Sequence, residues 1–463
     1  MIRENSPFLE PSLQFEIHLC AHSNGLTITP AKIPCTGTGT RDSVTELHFL
    51  GGCKTIGSSA YLIRENETSV LCDFGASFNG NPTFPQLSRP ANLTIALSHA
   101  HLDHSGGLPL LFASGSAPVY MTAITRDLIR LLLKDMIRLS NYYLPFEKEE
   151  VDRLIRRTRI VNYREPIEIT KDITLTFHDA GHIPGSAALQ VQTPTHDILY
   201  SGDINTIDTQ MLKAARIPQT TPDTLILEST YALTAHDDRE RIEETFVTTA
   251  EEIIDNGGTV LVPAFAVARA QEILCVLNKY RVDFPIYMDG MARDAARIFL
   301  HHPSFFRNFR LLKRALDNTQ WIRSRRQREG LTKNPGLIVA PAGMLRGGTA
   351  AMYLSEIMHN PRNAVLLVGF QIPGTPGREL LDNGSYDDGT GLKRVKAKFQ
   401  LFDFSSHAGQ EQLLDLASSF PNLERLYTVH GEAEACNYLA KTLHKTNGIN
   451  AHAAETGQQI ELP

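Results

Sequence analysis

Between residues 46 and 231 the apolar positions fall in short runs separated by Gly or polar turns. Leu47–Leu50, Ser59–Ile63, Ser69–Asp73 and Thr94–Leu97 are runs of strand length. Over 121–157 the period lengthens: Ile124, Leu128, Leu131, Leu132, Met136 and Leu139 share one face of a predicted helix. Strand-length runs return at 167–177, 187–192, 197–200 and 224–227. From about 232 to 400 the texture changes. Arg241–Asp255 reads as a helix closed by Asn256-Gly257-Gly258, because Gly readily takes the left-handed conformation that ends a helix. A second helix is predicted over Ala268–Tyr280, among the apolar runs Val260–Pro263, Ile286–Met288, Leu337–Ala340 and Ala364–Val368. Strands alternating with helices predict a parallel α/β sheet. The last segment holds Phe402–Phe404, a helix near Gln410–Ser418, the run Leu426–Val429 and a helix from Ala433. Upstream, Phe15–Leu19 and Leu26–Thr29 alternate around Ser23-Asn24-Gly25, which predicts a β-hairpin followed by an exposed linker. The reading is thus of a 1–44 extension, a first part over 45–231, an α/β insertion over 232–400 and a closing part over 401–463.

Composition narrows the class. A chain of 463 residues fits about two to three domains. With 42% apolar and 21% charged residues it is not a largely disordered chain. No apolar run approaches the roughly 20 residues of a membrane span, and MIRENSPFLE lacks the apolar stretch of a secretory signal. Cys20, Cys35, Cys53, Cys72, Cys275 and Cys436 form no CxxC pair and read as reduced, mostly buried thiols. A cytoplasmic protein with no membrane partner is the expectation. The net charge of −6 argues against a general cationic coat but leaves room for a local basic groove.

The strongest chemical signal is Ser98-His99-Ala100-His101-Leu102-Asp103-His104-Ser105-Gly106-Gly107, directly after the run Ile95–Leu97. Three imidazoles and a carboxylate within six residues suit zinc, and a loop at a strand end can aim them at two adjacent ions. Asp179-Ala180-Gly181-His182-Ile183-Pro184-Gly185-Ser186 and Tyr200-Ser201-Gly202-Asp203-Ile204-Asn205 add a His and an Asp after further strands. An Asp between two cations can bridge them, one oxygen to each.

The order HAHLDH, AGHIPGS, SGD resembles the metallo-β-lactamase fold of hydrolases. The resemblance implies an αββα sandwich with the metals at the strand ends. It would place one zinc on His99, His101 and His182, a second on Asp103 and His104, and Asp203 between them. The later segments Leu227-Glu228-Ser229-Thr230-Tyr231, Phe404-Ser405-Ser406-His407-Ala408-Gly409 and Thr428-Val429-His430-Gly431-Glu432 resemble the β-CASP subfamily, which includes the cleavage and polyadenylation endonuclease and ribonuclease J. So do Pro263–Ala266 through Arg269–Glu272, Gly343–Gly348 and Gly369–Gln371 through Gly374–Arg378. This implies an inserted β-CASP domain and two zinc ions, with His430 completing the second. His407 would be the general acid, oriented by Glu228, with Asp103 also in the catalytic set. The His at 430 favours RNA over DNA. The sequence departs from the subfamily at Gly409, where Asp is common, which takes away an expected support beside His407. It departs also at Pro341-Ala342, where small polar residues are common.

The expected activity is zinc-dependent hydrolysis of RNA phosphodiester bonds, endonucleolytic, 5′-3′ exonucleolytic or both, in RNA processing or decay. Zinc-bound hydroxide would attack in line and His407 would protonate the departing 3′ oxygen, leaving 5′-phosphate and 3′-OH ends. Arg269, Arg346, Gly347, Gly348, Gln371, Thr375 and Arg378 are the candidate substrate-binding residues. The run 307–328 carries Arg307, Arg310, Lys313, Arg314, Arg323, Arg325, Arg326 and Arg328 among Phe305, Phe306, Phe309 and Trp321. It suits either single-stranded RNA or a solvated helix face over core aromatics. The alternatives are a thioester or lactone hydrolase of the same fold and a non-catalytic subunit of an RNA-processing complex. A homodimer is a further possible assembly.

Overall fold

The computed structural model describes residues 44–78, 81–88, 90–139, 143–217 and 222–463. The predicted hairpin, its linker, Cys20 and Cys35 lie outside the described residues. The strands expected from the short apolar runs form, with one exception. The stretch 167–177 is a hairpin, Ile167–Thr170 against Ile173–Asp179, because Lys171-Asp172 makes the turn. The expected helix over 121–157 is also two helices, Ala123–Leu139 and Lys148–Arg157. The second starts at a capping box between Glu147 and Glu150, whose side chains satisfy backbone N–H groups that a continuous helix would have paired.

Two seven-stranded sheets face each other. The first runs, in spatial order, Gln459–Leu462, Thr45–Gly51, Ala60–Glu65, Thr68–Cys72, Asn92–Ala96, Val119–Thr122 and Thr158–Val161. The second runs Asn450–Ala453, Arg425–Val429, Thr224–Glu228, Asp197–Tyr200, Ala187–Gln192, Ile173–Asp179 and Ile167–Thr170. Period-two alternation divides each strand between two cores. Phe49, Tyr61, Ile63 and Val70 point at Phe177, Leu189, Tyr200 and Tyr427 of the facing sheet. Leu62, Leu71, Ile95 and Met121 point outward onto the helix Ala123–Leu139 through Ile124, Leu128 and Leu132. On the other flank, Leu199, Leu225 and Leu426 pack on the helices Gln410–Ser418 and Ala433–Asn447. This is the αββα layering expected.

The third sheet is parallel throughout, in the order Gln320–Trp321, Ile286–Met288, Gly336–Ala340, Thr259–Pro263, Ala364–Leu367, Lys398–Leu401. Its central strands Gly336–Ala340, Thr259–Pro263 and Ala364–Leu367 are apolar and buried on both faces because helices cover both. One face, with Val260, Val262 and Leu366, is continuous with the core over the first sheet. The insertion is therefore seated on the sandwich rather than tethered to it. The C-terminal ends of its central strands carry the loops at Ala264–Phe265, Ala342–Gly348 and Gly369–Gly374.

The basic stretch 307–328 has two halves. Arg307 donates to Thr209 O at 3.0 Å and pairs with Asp208, and the Arg307 N–H donates to Met211 O. Phe305 meets the Tyr163 ring, and His302 meets Asp127 at 2.8 Å. Phe306 is buried against Phe299. Arg307, with Phe305 and His302 just before it, thus clasps the insertion to the sandwich, while Arg310, Lys313 and Arg314 are exposed. In the second half Arg328 is spent on the buried Asp289 carboxylate, and Arg323, Arg325 and Arg326 are exposed.

Candidate metal centre and catalytic dyad

The loop after Asn92–Ala96 is pinned by backbone bonds. Ser59 N donates to Asp103 O, Phe74 N to His104 O and Ala76 N to Leu102 O, each at 2.9 Å. Gly75 makes this possible: a Cβ there would stand 1.7 Å from the Asp103 carbonyl oxygen. The short helix Leu102–Ser105 then presents Asp103 and His104, while His99 and His101 lie on the preceding extended turn.

Seven side chains converge there. His99, His101, His182 and Asp203 have ligand atoms within 4.8 Å of one another, and so have His104, Asp203 and His430, and His99, Asp103 and His104. Asp203 faces both sides. Its Oδ2 is 3.5 Å from His99 Nε2 and 3.5 Å from His182 Nε2. Its Oδ1 is 3.2 Å from His104 Nε2 and 3.2 Å from His430 Nδ1. His430 Nε2 reaches Asp103 Oδ2 at 3.3 Å.

The outer bonds decide which ring nitrogen faces inward. His182 Nδ1 donates to Ser406 O at 2.9 Å and His104 Nδ1 to Asp73 Oδ2 at 2.8 Å, so Nε2 of each is the nitrogen turned inward. His99 Nδ1 meets Ser98 Oγ at 3.1 Å. His99 Nε2 and His101 Nε2 are buried with no hydrogen-bond partner, and Asp203 Oδ1 makes no hydrogen bond. Such orphaned acceptors are costly unless something else binds them. Imidazole nitrogens with carboxylate oxygens fit divalent zinc. Burial and the neighbouring His104 hold His99 well below the usual imidazole range, and burial brings His101 to about 4. Both are neutral at pH 7, the form that ligates.

Asp73 was not singled out from the sequence. It is fully buried at the end of a strand, with φ +61°. It accepts from Ser98 N and Oγ, each at 2.7 Å, from His104 Nδ1 and from Tyr200 Oη at 2.9 Å. A carboxylate closing an apolar run was the available signal.

Glu228 and His407 form a second unit beside the cluster. Glu228 is fully buried at the end of Thr224–Glu228. Its Oε1 accepts from Ile204 N at 2.8 Å and from His407 Nδ1 at 2.8 Å, and its Oε2 accepts from Thr230 N. His407 Nε2 is thereby turned to the cluster, 4.0 Å from Asp203 Oδ2. Burial opposes charge on His407, but Glu228 and then Asp203 outweigh it and lift the ring to about 9.

The candidate substrate-binding residues separate. Arg269 is nine-tenths buried at the start of the helix Arg269–Lys279, with Nη2 donating to Ser406 Oγ at 3.0 Å and Nε and Nη1 without hydrogen-bond partners. Arg346 donates to Phe78 O at 2.8 Å, bracing the insertion, and Arg378 pairs with Asp382. The Gln371 amide ties Gly343 O to Gly369 O, and Thr375 caps its own helix by accepting from Arg378 N. Gly347 and Gly348 take φ values of +78° and +71° at the start of Gly348–Ile357. Phe265, not named from the sequence as a site residue, stands exposed with its ring 6.4 Å from that of His101.

Comparison with known proteins gives three family matches. Residues 62–231 match a metallo-beta-lactamase superfamily domain, 270–380 a Beta-Casp domain and 393–454 a Zn-dependent metallo-hydrolase RNA specificity domain. The chain is 38% identical over 421 residues to RNase aCSPSF2 of Saccharolobus solfataricus, covering 90% of this chain and 85% of that protein. It is 36% identical over 430 residues to Probable RNase MJ4 of Methanocaldococcus jannaschii, covering 90% and 100%. It is 34% identical over 460 residues to transcription termination factor FttA of Pyrococcus abyssi, covering 89% and 70%. A crystal structure of a protein of unknown function from Enterococcus faecalis shares the fold, at TM-score 0.55 and 16% identity over 90% of this chain and 100% of that one.

Proposed function

The chain belongs to the β-CASP ribonuclease family of the metallo-β-lactamase superfamily, and we propose that it hydrolyses RNA phosphodiester bonds with two zinc ions. The observation that carries this reading is the Glu228–His407 dyad, whose free ring nitrogen is aimed at Asp203 in the midst of the imidazole cluster. Two relatives named as RNases, aligned over 90% of the chain, support the substrate class. His99, His101 and His182 would hold one ion, Asp103, His104 and His430 the other, and Asp203 both. Bound there, the two ions supply an activated water and neutralise charge on the phosphate.

The rest falls to the chain's own groups. Glu228 accepts from His407 Nδ1, which leaves the proton on Nε2 facing the departing 3′ oxygen. With its acidity lowered to about 9, His407 is charged at pH 7 and able to give that proton. Asp73 fixes the His104 tautomer, and Ser406 O that of His182. Arg269 brings a guanidinium with two buried nitrogens that lack hydrogen-bond partners to the side of Ser406, and the Gly347-Gly348 turn contributes the Gly348 N–H, the Gly347 N–H being used on Leu345 O. Single-stranded RNA suits the site because the exposed Phe265 ring beside His101 is open to a base. Cys53, Cys72, Cys275 and Cys436 are free buried thiols, which fits a reducing compartment such as the cytoplasm.

The test uses RNA labelled at its 5′ end, with and without zinc, beside a His407→Ala variant. Internal fragments that need zinc and vanish in the variant are the endonuclease outcome. Labelled mononucleotide alone is the 5′-3′ exonuclease outcome. Intact RNA with zinc bound would sink the reading in favour of a thioester or lactone substrate.

A further inference from the structure

The chain that follows Glu228 wraps the loop of His407 at four places. Glu228 takes the ring nitrogen. Tyr231 lies against the ring face, 6.0 Å between centroids and 27° from parallel, and bridges to Gly409. Thr234 O accepts from Gln410 N at 2.9 Å. His236 takes the backbone: its Nε2 donates to the His407 carbonyl oxygen at 3.0 Å. The other His236 nitrogen, Nδ1, is 2.6 Å from Asp403 Oδ2. Asp403 Oδ1 accepts from Ser405 N at 3.0 Å, and Ser405 Oγ accepts from His407 N at 3.0 Å. Both backbone polar groups of His407 are therefore held by one circuit, Asp403–His236 on one side and Asp403–Ser405 on the other. The space for it comes from Gly409. A Cβ at Gly409 would stand 2.7 Å from His236 Cδ2 and 3.0 Å from Thr234 O, although its φ of −80° suits any residue.

We propose that His236, clamped by Asp403, is a positioning residue for His407, and that Gly409 is glycine so that the His236 ring can sit there. This rests on the reading of His407 as the proton donor. The ring of His236 has an acceptor beside each nitrogen, the Asp403 carboxylate and the His407 carbonyl, so it spans the two. Bonds to an ionised partner are shorter and roughly twice as strong as neutral ones. Glu228 sets the rotation of the His407 ring; His236 sets where its backbone stands. Both are needed, because displacing a proton donor by about 1 Å can cost about 10²-fold in rate.

The experiment compares wild type with His236→Ala, His236→Gln, Gly409→Ala and the His236→Ala/Gly409→Ala pair. Zinc content, kcat and KM on RNA, and hydrogen–deuterium exchange of the peptide spanning 403–410 are measured. His236→Ala is expected to lower kcat about 10- to 100-fold with KM and zinc content unchanged, and to speed exchange in that peptide alone. Gly409→Ala should do the same by displacing the ring, and the pair should be no slower than His236→Ala, since both act on one interaction. His236→Gln, which keeps a donor for the carbonyl, should recover part of kcat. Unchanged kcat with unchanged exchange in His236→Ala overturns the proposal, as does a rate loss that tracks lost zinc. Should the wild type cleave no RNA, the ribonuclease reading fails on its own, and the exchange comparison alone decides the positioning role.

Discussion

Both carboxylate oxygens of Glu228 reach one ring nitrogen of His407, at 2.8 Å and 3.0 Å from Nδ1. That contact raises His407 to about 9 despite burial. The sign follows. The protonated ring persists through neutral pH, so the proton-donor form is lost only as pH climbs through the raised value. Glu228→Gln removes the largest raising charge and weakens the hold on the proton. The basic limb of the kcat profile should move to lower pH, and His407→Ala should lose about 10²- to 10⁴-fold in kcat. A profile unmoved in Glu228→Gln would mean the limb reports another group.

Among the described residues, Asp203 is the one side chain with an oxygen toward each histidine group. Asp203→Asn should strip both ions, whereas His101→Ala should strip one. Elemental analysis of zinc per protein distinguishes them. Equal losses in the two variants would contradict the bridging assignment. Chelation should also lower stability, by about 4 kcal/mol where free zinc had exceeded its Kd about 1,000-fold, read as a shift in the urea midpoint.

Asp73 accepts from four donors with no solvent to replace any of them. Asparagine in its place would set an N–H₂ group against donors. The expected cost is about 2–3 kcal/mol of folding stability. Zinc affinity should fall about 10- to 100-fold through the freed His104 ring. A zinc titration of Asp73→Asn that matches wild type would remove Asp73 from the support of the centre.

Arg269 is a candidate phosphate contact whose two unpartnered guanidinium nitrogens are buried, so a phosphate must displace what covers them. Arg269→Met should raise KM for RNA. It should also lessen the dependence of log Kd on log salt by about 0.7, the contribution of one phosphate on a single strand. Arg346→Met, whose guanidinium is used on Phe78 O, should leave that slope alone. A lower melting temperature with RNA binding intact would make Arg269 a brace onto Ser406.

Much of the architecture was written in local pattern. The apolar runs predicted the strands because alternate residues must reach one of two cores, and the run Ile95–Leu97 marked where HAHLDH would emerge. Where local pattern misled, a competing local interaction was responsible: the Lys171-Asp172 turn split one strand, and the Glu147–Glu150 capping box split one helix. The basic stretch 307–328 looked uniform, yet position decided that Arg307 and Phe305 clasp the sandwich, that Arg328 neutralises Asp289, and that Arg323, Arg325 and Arg326 face solvent.

The sequence by itself determined that three histidines and an aspartate would stand within six residues at one strand end, a local fact, and it determined the strand ends near which His182, Asp203 and Glu228 would stand. Only the tertiary structure decided how these act together. His407 is 179 residues from Glu228, and His430 is 327 from Asp103. Their meeting depends on the parallel pairing of Thr224–Glu228 with Arg425–Val429 across the whole insertion. The supports were hidden for the same reason. Asp73, Ser406 and His236 are ordinary residues in the chain, and each acquires its role from a partner on a remote segment once burial removes water as the competing hydrogen-bond partner.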